Sequence, residues 1–160
     1  MTPKVAQFYV DTSVFGGVFD SEFTIPSSRF FEQVRSGEIE IVVSALVSGE
    51  LNEAPIKVRS LFDDILQYAS ITPVTAEALR LRQAYIDAEV LTPKWLDDAL
   101  HVALASISGC DGIVSWNFKH IVHYQKIPRF NAVNVLQGYK EIMIYSPLEV
   151  IDYGRDDENI

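Results

Sequence analysis

Phe8-Tyr9-Val10-Asp11-Thr12-Ser13 is the stretch around which the rest of the chain is organised. The run from Val5 to Val10 is short, apolar and rich in β-branched and aromatic residues, which predicts a buried parallel strand. Asp11 follows where that strand ends. Because ligands bind outside the carboxyl ends of parallel strands, a carboxylate at this position is placed for function. The alternative interpretation is that Asp11 caps the turn or helix that follows.

Length and composition limit the class of protein. A chain of 160 residues with 48% hydrophobic and 22% charged residues fits one globular domain. We place this domain at residues 1–152, followed by an acidic tail at residues 153–160. No apolar run approaches the roughly 18 residues that a membrane span needs, so we expect no membrane association. Cys110 is the single cysteine, and a reducing cytoplasm is therefore the expected compartment.

The distribution of charge bears on the choice of partners. A formal net charge of −9 argues against non-specific binding of duplex nucleic acid through a broad basic face. Residues 112–140, however, contain no Asp or Glu and carry Lys119, Lys126, Arg129 and Lys140. This weak basic stretch keeps nucleic acid open as a ligand, and the acidic remainder also suits a basic partner protein.

Strand and helix patterns alternate along the chain. Apolar runs predict strands at residues 5–10, 39–43, 71–74, 113–115 and 142–145. Helical spacing predicts helices at residues 27–36, 45–52, 75–89, 93–108 and 131–139, another from residue 55, a helical turn at 118–123 and a final turn at 147–151. Residues 15–28 are expected to be irregular, and Ser44, Thr75 and Thr92 to cap helices. The pattern predicts an α/β fold with three α/β/α layers around a mostly parallel sheet.

Three more polar residues follow predicted strands or lie on the helices after them. Glu50 lies about two turns into the helix after the second strand, Asp98 opens a later helix, and Asn117 follows the strand at 113–115. In a parallel sheet such positions converge on one edge. Each also has a simpler interpretation: Glu50 as a solvated helix residue, Asp98 as an ion-pair partner of Lys94, and Asn117 as a turn residue. Their joint placement favours a shared site.

Asp11, Glu50, Asp98 and Asn117 together have the chemistry of a metal site. Carboxylates gathered at one edge repel one another unless a cation lies between them. Oxygen ligands of this kind suit Mg²⁺ or Mn²⁺. Such a cluster leaves metal positions open for a phosphodiester oxygen and an activated water. The four residues are therefore the candidate metal ligands and catalytic residues.

The sequence disfavours other kinds of site. Three histidines and one cysteine without close acidic ligands make a poor zinc site, and His101 is expected to be packed or to lie at the solvent edge. No Walker loop, GxGxxG or GxSxG motif occurs. Asp-Thr-Ser resembles the Asp-Thr-Gly loop of aspartic proteases, but that chemistry needs two such loops in a β-rich fold. Haloacid-dehalogenase phosphatases need a second Asp where this chain has Ser13.

With the four positions identified, the sequence resembles the PIN-domain family, the metal-dependent ribonucleases that include the VapC-type toxins of bacterial toxin–antitoxin pairs. The matching segments, in the family's order, are Tyr9-Val10-Asp11-Thr12-Ser13, Ser48-Gly49-Glu50-Leu51, Asp98-Ala99-Leu100-His101-Val102-Ala103-Leu104-Ala105 and Ile113-Val114-Ser115-Trp116-Asn117. The predicted strand at 142–145 fits the family's last strand. Each motif is weak alone, and the ordered set is fairly specific.

The resemblance implies a five-stranded parallel sheet, with Asp11, Glu50, Asp98 and Asn117 in an acidic pocket that binds Mg²⁺ or Mn²⁺. Many members carry Asp where this chain has Asn117, whose neutral amide is a weaker ligand for a second metal. Ser115 matches a position that is commonly Thr or Ser, and with Ser13 it is expected to orient the ligands. The resemblance also implies RNA as the substrate, an antitoxin protein as a partner, and a homodimer.

The leading hypothesis is hydrolysis of RNA phosphodiester bonds at this pocket. Lys119, His120 and Lys126 are the candidates for contacts to RNA phosphates, while Trp116 either stacks on an unpaired base or packs locally. Two other functions stay open. One is a PIN-fold module that binds RNA or a protein partner with little or no catalysis, and the other is a phosphohydrolase for small substrates.

Overall fold

The computed structural model describes residues 4–151. In this part of the chain, five strands form one sheet in the order β3-β2-β1-β4-β5, and every pairing is parallel. The strands are β1 (Gln7–Val10), β2 (Glu40–Ser44), β3 (Ala69–Thr72), β4 (Gly112–Val114) and β5 (Met143–Tyr145). The predicted α/β fold with a five-stranded parallel sheet is confirmed. The acidic tail predicted at 153–160 lies outside the described residues.

Helices connect the strands. Within residues 4–151 they are α1 (Thr12–Gly17), α2 (Thr24–Arg35), α3 (Ala45–Leu51), α4 (Ile56–Ile65), α5 (Ala76–Asp87), α6 (Leu96–Ser108), α7 (Ile127–Leu136) and α8 (Pro147–Val150). Short 3₁₀ helices cover Leu66–Tyr68 and Pro93–Trp95. Among the described residues no helix has the length and apolar character needed to cross a membrane.

The central strand, β1, is covered on both faces. Phe8, Tyr9 and Val10 are all buried, although successive side chains of a strand point to opposite faces of the sheet. Helix α6 contacts β1, β2 and β4 and packs on α5, while α1 contacts α2 and α4. The buried strand thus lies between two groups of helices, as predicted for a three-layer domain.

Two of the three predicted helix caps are present. The hydroxyl of Ser44 accepts a hydrogen bond from the amide of Val47 at 3.3 Å, and that of Thr75 accepts one from Ala78 at 3.1 Å. The cap predicted at Thr92 is wrong, because the Thr92 side chain makes no capping bond and a 3₁₀ turn comes between it and α6. Helix α6 therefore begins at Leu96, so that Asp98 lies in its first turn.

The prediction that residues 15–28 are irregular is correct only for residues 18–23, which lie between two helices. Helix α1 starts at Thr12, directly after β1, and α2 starts at Thr24. The short helix forms because it buries Val14 and Phe15 completely, which outweighs the poor helix propensity of the Gly16-Gly17 pair. The start of a later helix also shifts, since α7 begins at Ile127 rather than at residue 131. The helical turn predicted at residues 118–123 is present as a hydrogen-bonded turn, in which the amide of Ile121 donates to the carbonyl of Asn117 at 3.1 Å.

The two glycines of α1 provide a matched test of this packing. A Cβ atom on Gly17 would lie 2.6 Å from Ser27 Oγ and 2.7 Å from Trp116 Nε1, whereas nothing lies within 4 Å of one on Gly16. Ser27 and Trp116 are buried and bonded to each other at 2.8 Å, so neither yields easily. We expect Gly17→Ala to lower the free energy of unfolding by about 1–3 kcal/mol and Gly16→Ala to raise it by about 0.4–1 kcal/mol.

Urea denaturation of the two variants measures these changes in unfolding free energy. Equal stability of Gly17→Ala and Gly16→Ala would contradict the close approach of Trp116 to α1.

Candidate active site

Asp11 lies at the carboxyl end of the central strand. The parallel register of β1 with β4 pairs Val10 with Val114, which brings Asp11 beside Ser115. Asp11 is 4% exposed, and its Oδ1 and Oδ2 accept hydrogen bonds of 2.6 Å from the hydroxyls of Ser13 and Ser115, respectively. Its side chain caps no helix, since α1 begins without a side-chain capping bond. The capping interpretation of Asp11 is therefore wrong.

Burial raises the pKa of Asp11 above its ordinary value of 3.8, because desolvation outweighs the favourable charge of His101 and the two serine hydrogen bonds. The serines are fixed in turn. Ser13 Oγ accepts the backbone amide of Trp116 and Ser115 Oγ that of Asn117, each at 2.9 Å. Because these oxygens act as acceptors for the amides, each hydroxyl hydrogen is free to point at the carboxylate. The structure thus places Ser13 and Ser115 as the groups that orient Asp11.

Glu50 belongs to a chain of buried polar contacts that reaches the core. Its Oε1 accepts a hydrogen bond from Thr12 Oγ1 at 2.9 Å and lies 2.6 Å from His101 Nε2. The other ring nitrogen of His101 lies 2.8 Å from the hydroxyl of Tyr9, which lies 2.8 Å from Ser44 Oγ. Tyr9 and Ser44 come from β1 and β2, so the two strands hold the imidazole in place.

His101 supplies positive charge among the carboxylates. Burial by itself lowers the pKa of an imidazole, but the hydrogen bond to Glu50 and the charges of Asp11, Glu50 and Asp98 raise the pKa of His101 above its ordinary value. Burial acts against the charged form of Glu50 as well, yet His101 and Thr12 lower its pKa. The contact between His101 and Glu50 therefore favours the charged form of each side chain. In its charged form His101 reduces the repulsion between the carboxylates. That repulsion was the reason to expect a bound cation.

Asp98 contacts a second histidine. Its Oδ2 lies 2.8 Å from Nδ1 of His120, and the backbone amide of His120 donates to Asn117 Oδ1 at 2.9 Å. The amide oxygen of Asn117 thus holds the turn that carries His120. His120 is 7% exposed, so the structure places it in the interior beside Asp98 rather than on an exposed phosphate-binding surface. Lys94, the alternative partner of Asp98, lies instead over the ring of Trp95.

Three of the four candidate ligands are joined through these contacts. Ser115 links Asp11 to the amide of Asn117, and His120 links Asn117 to Asp98. Glu50 and Asp98 line one open cavity of about 470 Å³. Across residues 4–151, however, no three His, Cys, Asp or Glu side chains stand in an arrangement that could hold a metal ion. Each carboxylate is bonded to a protein donor instead.

The donor set fits Mg²⁺ or Mn²⁺ by its chemistry, since three carboxylates and one amide provide hard oxygen ligands. The protein hydrogen bonds leave oxygens that could take part. Both contacts of Glu50 fall on Oε1, and the contact of Asp98 falls on Oδ2. A cation at this edge of the sheet would meet Glu50 and Asp98 across the cavity that they share.

The other residues predicted to contact nucleic acid lie in different surroundings. Lys119 is exposed, and its Nζ lies 5.4 Å from the centroid of the Trp95 ring. Lys126 Nζ donates to the carbonyl of Val90 at 3.2 Å. Trp116 is 6% exposed and stacks on Phe23 with ring centroids 4.2 Å apart. Trp116 thus packs locally, as the second of its two interpretations held.

Sequence reasoning missed His101, Tyr9, Thr12 and Trp95. His101 carried a usable signal, because it lies one turn after Asp98 on the same helix and so shares a face with it. Tyr9 and Thr12 flank Asp11 closely in sequence, but a Tyr in a buried strand looks like core. The position of Trp95 depends on contacts from distant parts of the chain, and no local pattern indicated it.

Comparison with known proteins bears on the fold. The sequence matches no protein-family model and no curated protein. A chain of the VapBC2 complex from Rickettsia felis, solved bound to a DNA fragment from its promoter, is 16% identical with a TM-score of 0.53, over 71% of this chain and 89% of that one. VapC20 of Mycobacterium tuberculosis, a toxin that cleaves the sarcin–ricin loop, is 16% identical with a TM-score of 0.55, over 84% of this chain and 98% of its own. The chain therefore shares the fold of these two chains, which confirms the fold that the resemblance to the PIN-domain family implied.

Proposed function

We propose that the protein is a Mg²⁺- or Mn²⁺-dependent endoribonuclease that hydrolyses RNA phosphodiester bonds. One observation carries the proposal: the buried Asp11 lies at the carboxyl edge of the sheet, and Glu50 and Asp98, far apart in sequence, line one cavity. Carboxylates at that edge are costly to gather, because each is desolvated and repels the others. A protein retains such a cluster when the cluster performs chemistry.

The residues have distinct roles in this proposal. Asp11, held by two serines, and Asp98 are the principal ligands, with Asn117 as a neutral oxygen beside them. Glu50 would bind a second metal or polarise the attacking water, while Thr12 and His101 fix its carboxylate. When bound, a divalent ion polarises the scissile phosphate and lowers the pKa of a water.

His101 and His120 weaken the binding of a metal ion at the site. Each imidazole lies within hydrogen-bond distance of a carboxylate oxygen that would otherwise be available to a cation. A divalent ion therefore competes with two histidines for the charge of Glu50 and Asp98. Weak metal binding in the absence of substrate follows from this competition, since the phosphate of RNA adds ligands of its own.

The proposed biological role is that of the toxin in a toxin–antitoxin pair, acting in the cytoplasm. The shared fold with VapC20 and with a chain of the VapBC2 complex supports it. The corresponding partners are an RNA substrate, an antitoxin protein and a second copy of the chain.

A second candidate is a PIN-fold module that binds RNA or a protein without cutting. It is favoured by Asn117, a neutral amide whose oxygen is engaged with the amide of His120. It is also favoured by the protein donors already bonded to all three carboxylates.

Incubation of the purified protein with labelled single-stranded RNA in Mn²⁺, Mg²⁺ or EDTA separates the two candidates. A nuclease cuts the RNA with either ion and leaves it intact in EDTA, while a module without catalysis binds the RNA and leaves it intact in all three. Glu50→Gln is expected to lower the rate of cleavage by about 100-fold or more. Glu53→Gln, which changes an exposed acid three residues away, is the control and keeps the wild-type rate. RNA that stays intact in every metal condition would overturn the proposal.

A further inference from the structure

We propose that Trp95, with Lys94 and Lys119, forms a subsite that stacks an unpaired RNA base and pairs with its phosphates beside the carboxylate cluster. This inference rests on the proposed function and names the part of the substrate that the site recognises: a single-stranded stretch rather than a duplex. The three residues are called the Trp95 platform below.

The platform lies next to the proposed reaction centre. Trp95 ends the 3₁₀ turn Pro93–Trp95, and Asp98 follows it by three residues, in the first turn of α6. Trp95 and Lys94 line the same open cavity as Glu50 and Asp98. A nucleotide held on the platform therefore presents its neighbouring phosphate to the carboxylates.

The ring of Trp95 is held at a fixed position. Its centroid lies 4.1 Å from that of the His120 ring, with 37° between the ring planes. His120 is in turn bonded to Asp98 at 2.8 Å. The ring is half-buried, so one part contacts the protein while another part reaches the cavity. Because the ring itself is already held in place, it loses little entropy when a base stacks on it.

Two cations lie over the same ring. The ammonium groups of Lys94 and Lys119 stand 5.1 Å and 5.4 Å from the ring centroid. Both lysines are exposed, so a base can displace them from the ring at small cost while their charges stay beside it. Each displaced ammonium group is then within reach of a phosphate that flanks the stacked base. An aromatic ring bordered by mobile cations is the combination that binds single strands without reading their sequence.

Duplex RNA is not expected to bind to the Trp95 platform. The faces of its bases are stacked inside the helix, so Trp95 has nothing to stack on unless a base is unpaired. The net charge of −9 also argues against non-specific binding of a duplex through a broad basic face. The platform therefore selects loops, bulges and single strands.

Binding measured without cleavage tests the inference. We would use the full-length Asp11→Asn variant in EDTA with a fluorescein-labelled oligouridine of about ten nucleotides, and follow its anisotropy. Adding Trp95→Ala is expected to weaken binding by about tenfold. Removing Lys94 or Lys119 is expected to reduce the slope of log affinity against log salt by about 0.7 for each lysine. The same oligouridine annealed to its complement is expected to bind no better with Trp95 present than without it.

Tyr68→Ala is the matched control for the loss of a partly exposed aromatic side chain. Tyr68 precedes β3, so it lies at the amino edge of the sheet, opposite the carboxylates. It is expected to leave the affinity for oligouridine unchanged. Trp95→Phe, which keeps a ring, is expected to recover most of the affinity that Trp95→Ala loses, and it distinguishes stacking from a loss of folding.

The outcomes separate this inference from the proposed function. If the wild-type protein cuts RNA while Trp95→Ala and Trp95→Phe both bind oligouridine as tightly as their parent, the platform is overturned and the nuclease stands. If the Trp95 variants lose affinity as expected while the wild-type protein leaves RNA intact in every metal condition, the platform stands and the nuclease is overturned.

Discussion

Replacing Asp11 with Asn is expected to reduce metal-dependent RNA cleavage by about 1,000-fold or more. In our proposal Asp11 is a principal ligand, and the metal contributes several kcal/mol of transition-state stabilisation. Each 1.36 kcal/mol corresponds to a factor of about ten in rate. Asn keeps the shape and one oxygen of Asp11 but removes its charge, so the loss reports on chemistry rather than on packing. The measurement is the initial rate on labelled single-stranded RNA in Mn²⁺.

The same substitution is expected to stabilise the metal-free protein. Asp11 is buried and its pKa is raised, so the folded state disfavours the charged carboxylate. A neutral Asn avoids that cost, and we expect the free energy of unfolding in EDTA at neutral pH to rise by about 1 kcal/mol, typical of a relieved functional site. For a domain of this size the melting temperature rises by about 2–4 °C.

The stability advantage of Asp11→Asn depends on pH, and the raised pKa of Asp11 determines the direction of that dependence. A carboxyl group whose pKa is higher in the folded state favours folding fully below its unfolded pKa, near 3.8, and loses that contribution as the pH rises through the folded pKa. The stability advantage of Asp11→Asn should therefore be small near pH 4 and grow toward neutral pH. Asp63→Asn, at an exposed site on α4, serves as the control and shows neither effect. An Asp11→Asn variant that cleaves RNA at the wild-type rate would refute the assignment.

Replacing His101 with Ala is expected to cost about 2–4 kcal/mol of unfolding free energy. The side chain is buried between Glu50 and Tyr9, and its removal takes one hydrogen-bond partner from each. Thr12 still bonds to Glu50, and Ser44 still bonds to Tyr9. Breaking a buried ion pair by removing one member costs about 3–5 kcal/mol. We expect a lower value because the Glu50 side chain is 33% exposed and water can reach it. Cleavage is expected to fall by about 10- to 100-fold, as is typical when the group that orients a ligand is lost.

The loss of stability caused by His101→Ala also depends on pH. Glu50 has a lowered pKa, so its contribution is present above its ordinary value of 4.5 and is lost as the pH falls. His101 has a raised pKa, so its contribution is complete below its ordinary value of 6.5 and is lost as the pH rises through the folded value. The difference between wild type and His101→Ala should therefore be largest between these two values.

Thermal unfolding across pH measures this difference, with two controls. Tyr9→Phe removes one hydroxyl and keeps the contact between His101 and Glu50, so we expect a loss of about 1 kcal/mol. His123→Ala removes a histidine outside this network and should change little. If His101→Ala and His123→Ala unfold at the same temperature, the role of His101 in holding Glu50 is wrong.

Much of the architecture could be predicted from the sequence, because buried parallel strands are short, apolar and separated by helical patterns. The helix after β1 could not. Two adjacent glycines argue against a helix locally, and only the burial of Val14 and Phe15 against the sheet overrides them. Similarly, Thr92-Pro93 has the pattern of a helix start, but a 3₁₀ turn intervenes before α6.

The sequence indicated the acidic residues of the candidate site but not the residues that form hydrogen bonds with them. Asp11 and Asn117 follow strands, and Glu50 and Asp98 lie on helices, at positions that the sequence alone indicated. Their partners are set by tertiary contacts between residues tens of positions apart. His101 reaches Glu50 across 51 positions, and His120 reaches Asp98 across 22. A histidine on an apolar helix face looks like core in the sequence, whatever it contacts in the fold.

The order of the sheet has a consequence for how the site is lost. β1 carries Asp11 and is hydrogen-bonded on both sides, to β2 and to β4. Local opening begins at edges and termini, where β3 and β5 lie, and reaches an interior strand last. Fraying of the edge strands therefore leaves Asp11 in position. We expect Asp11 to lose its position only when the whole domain unfolds.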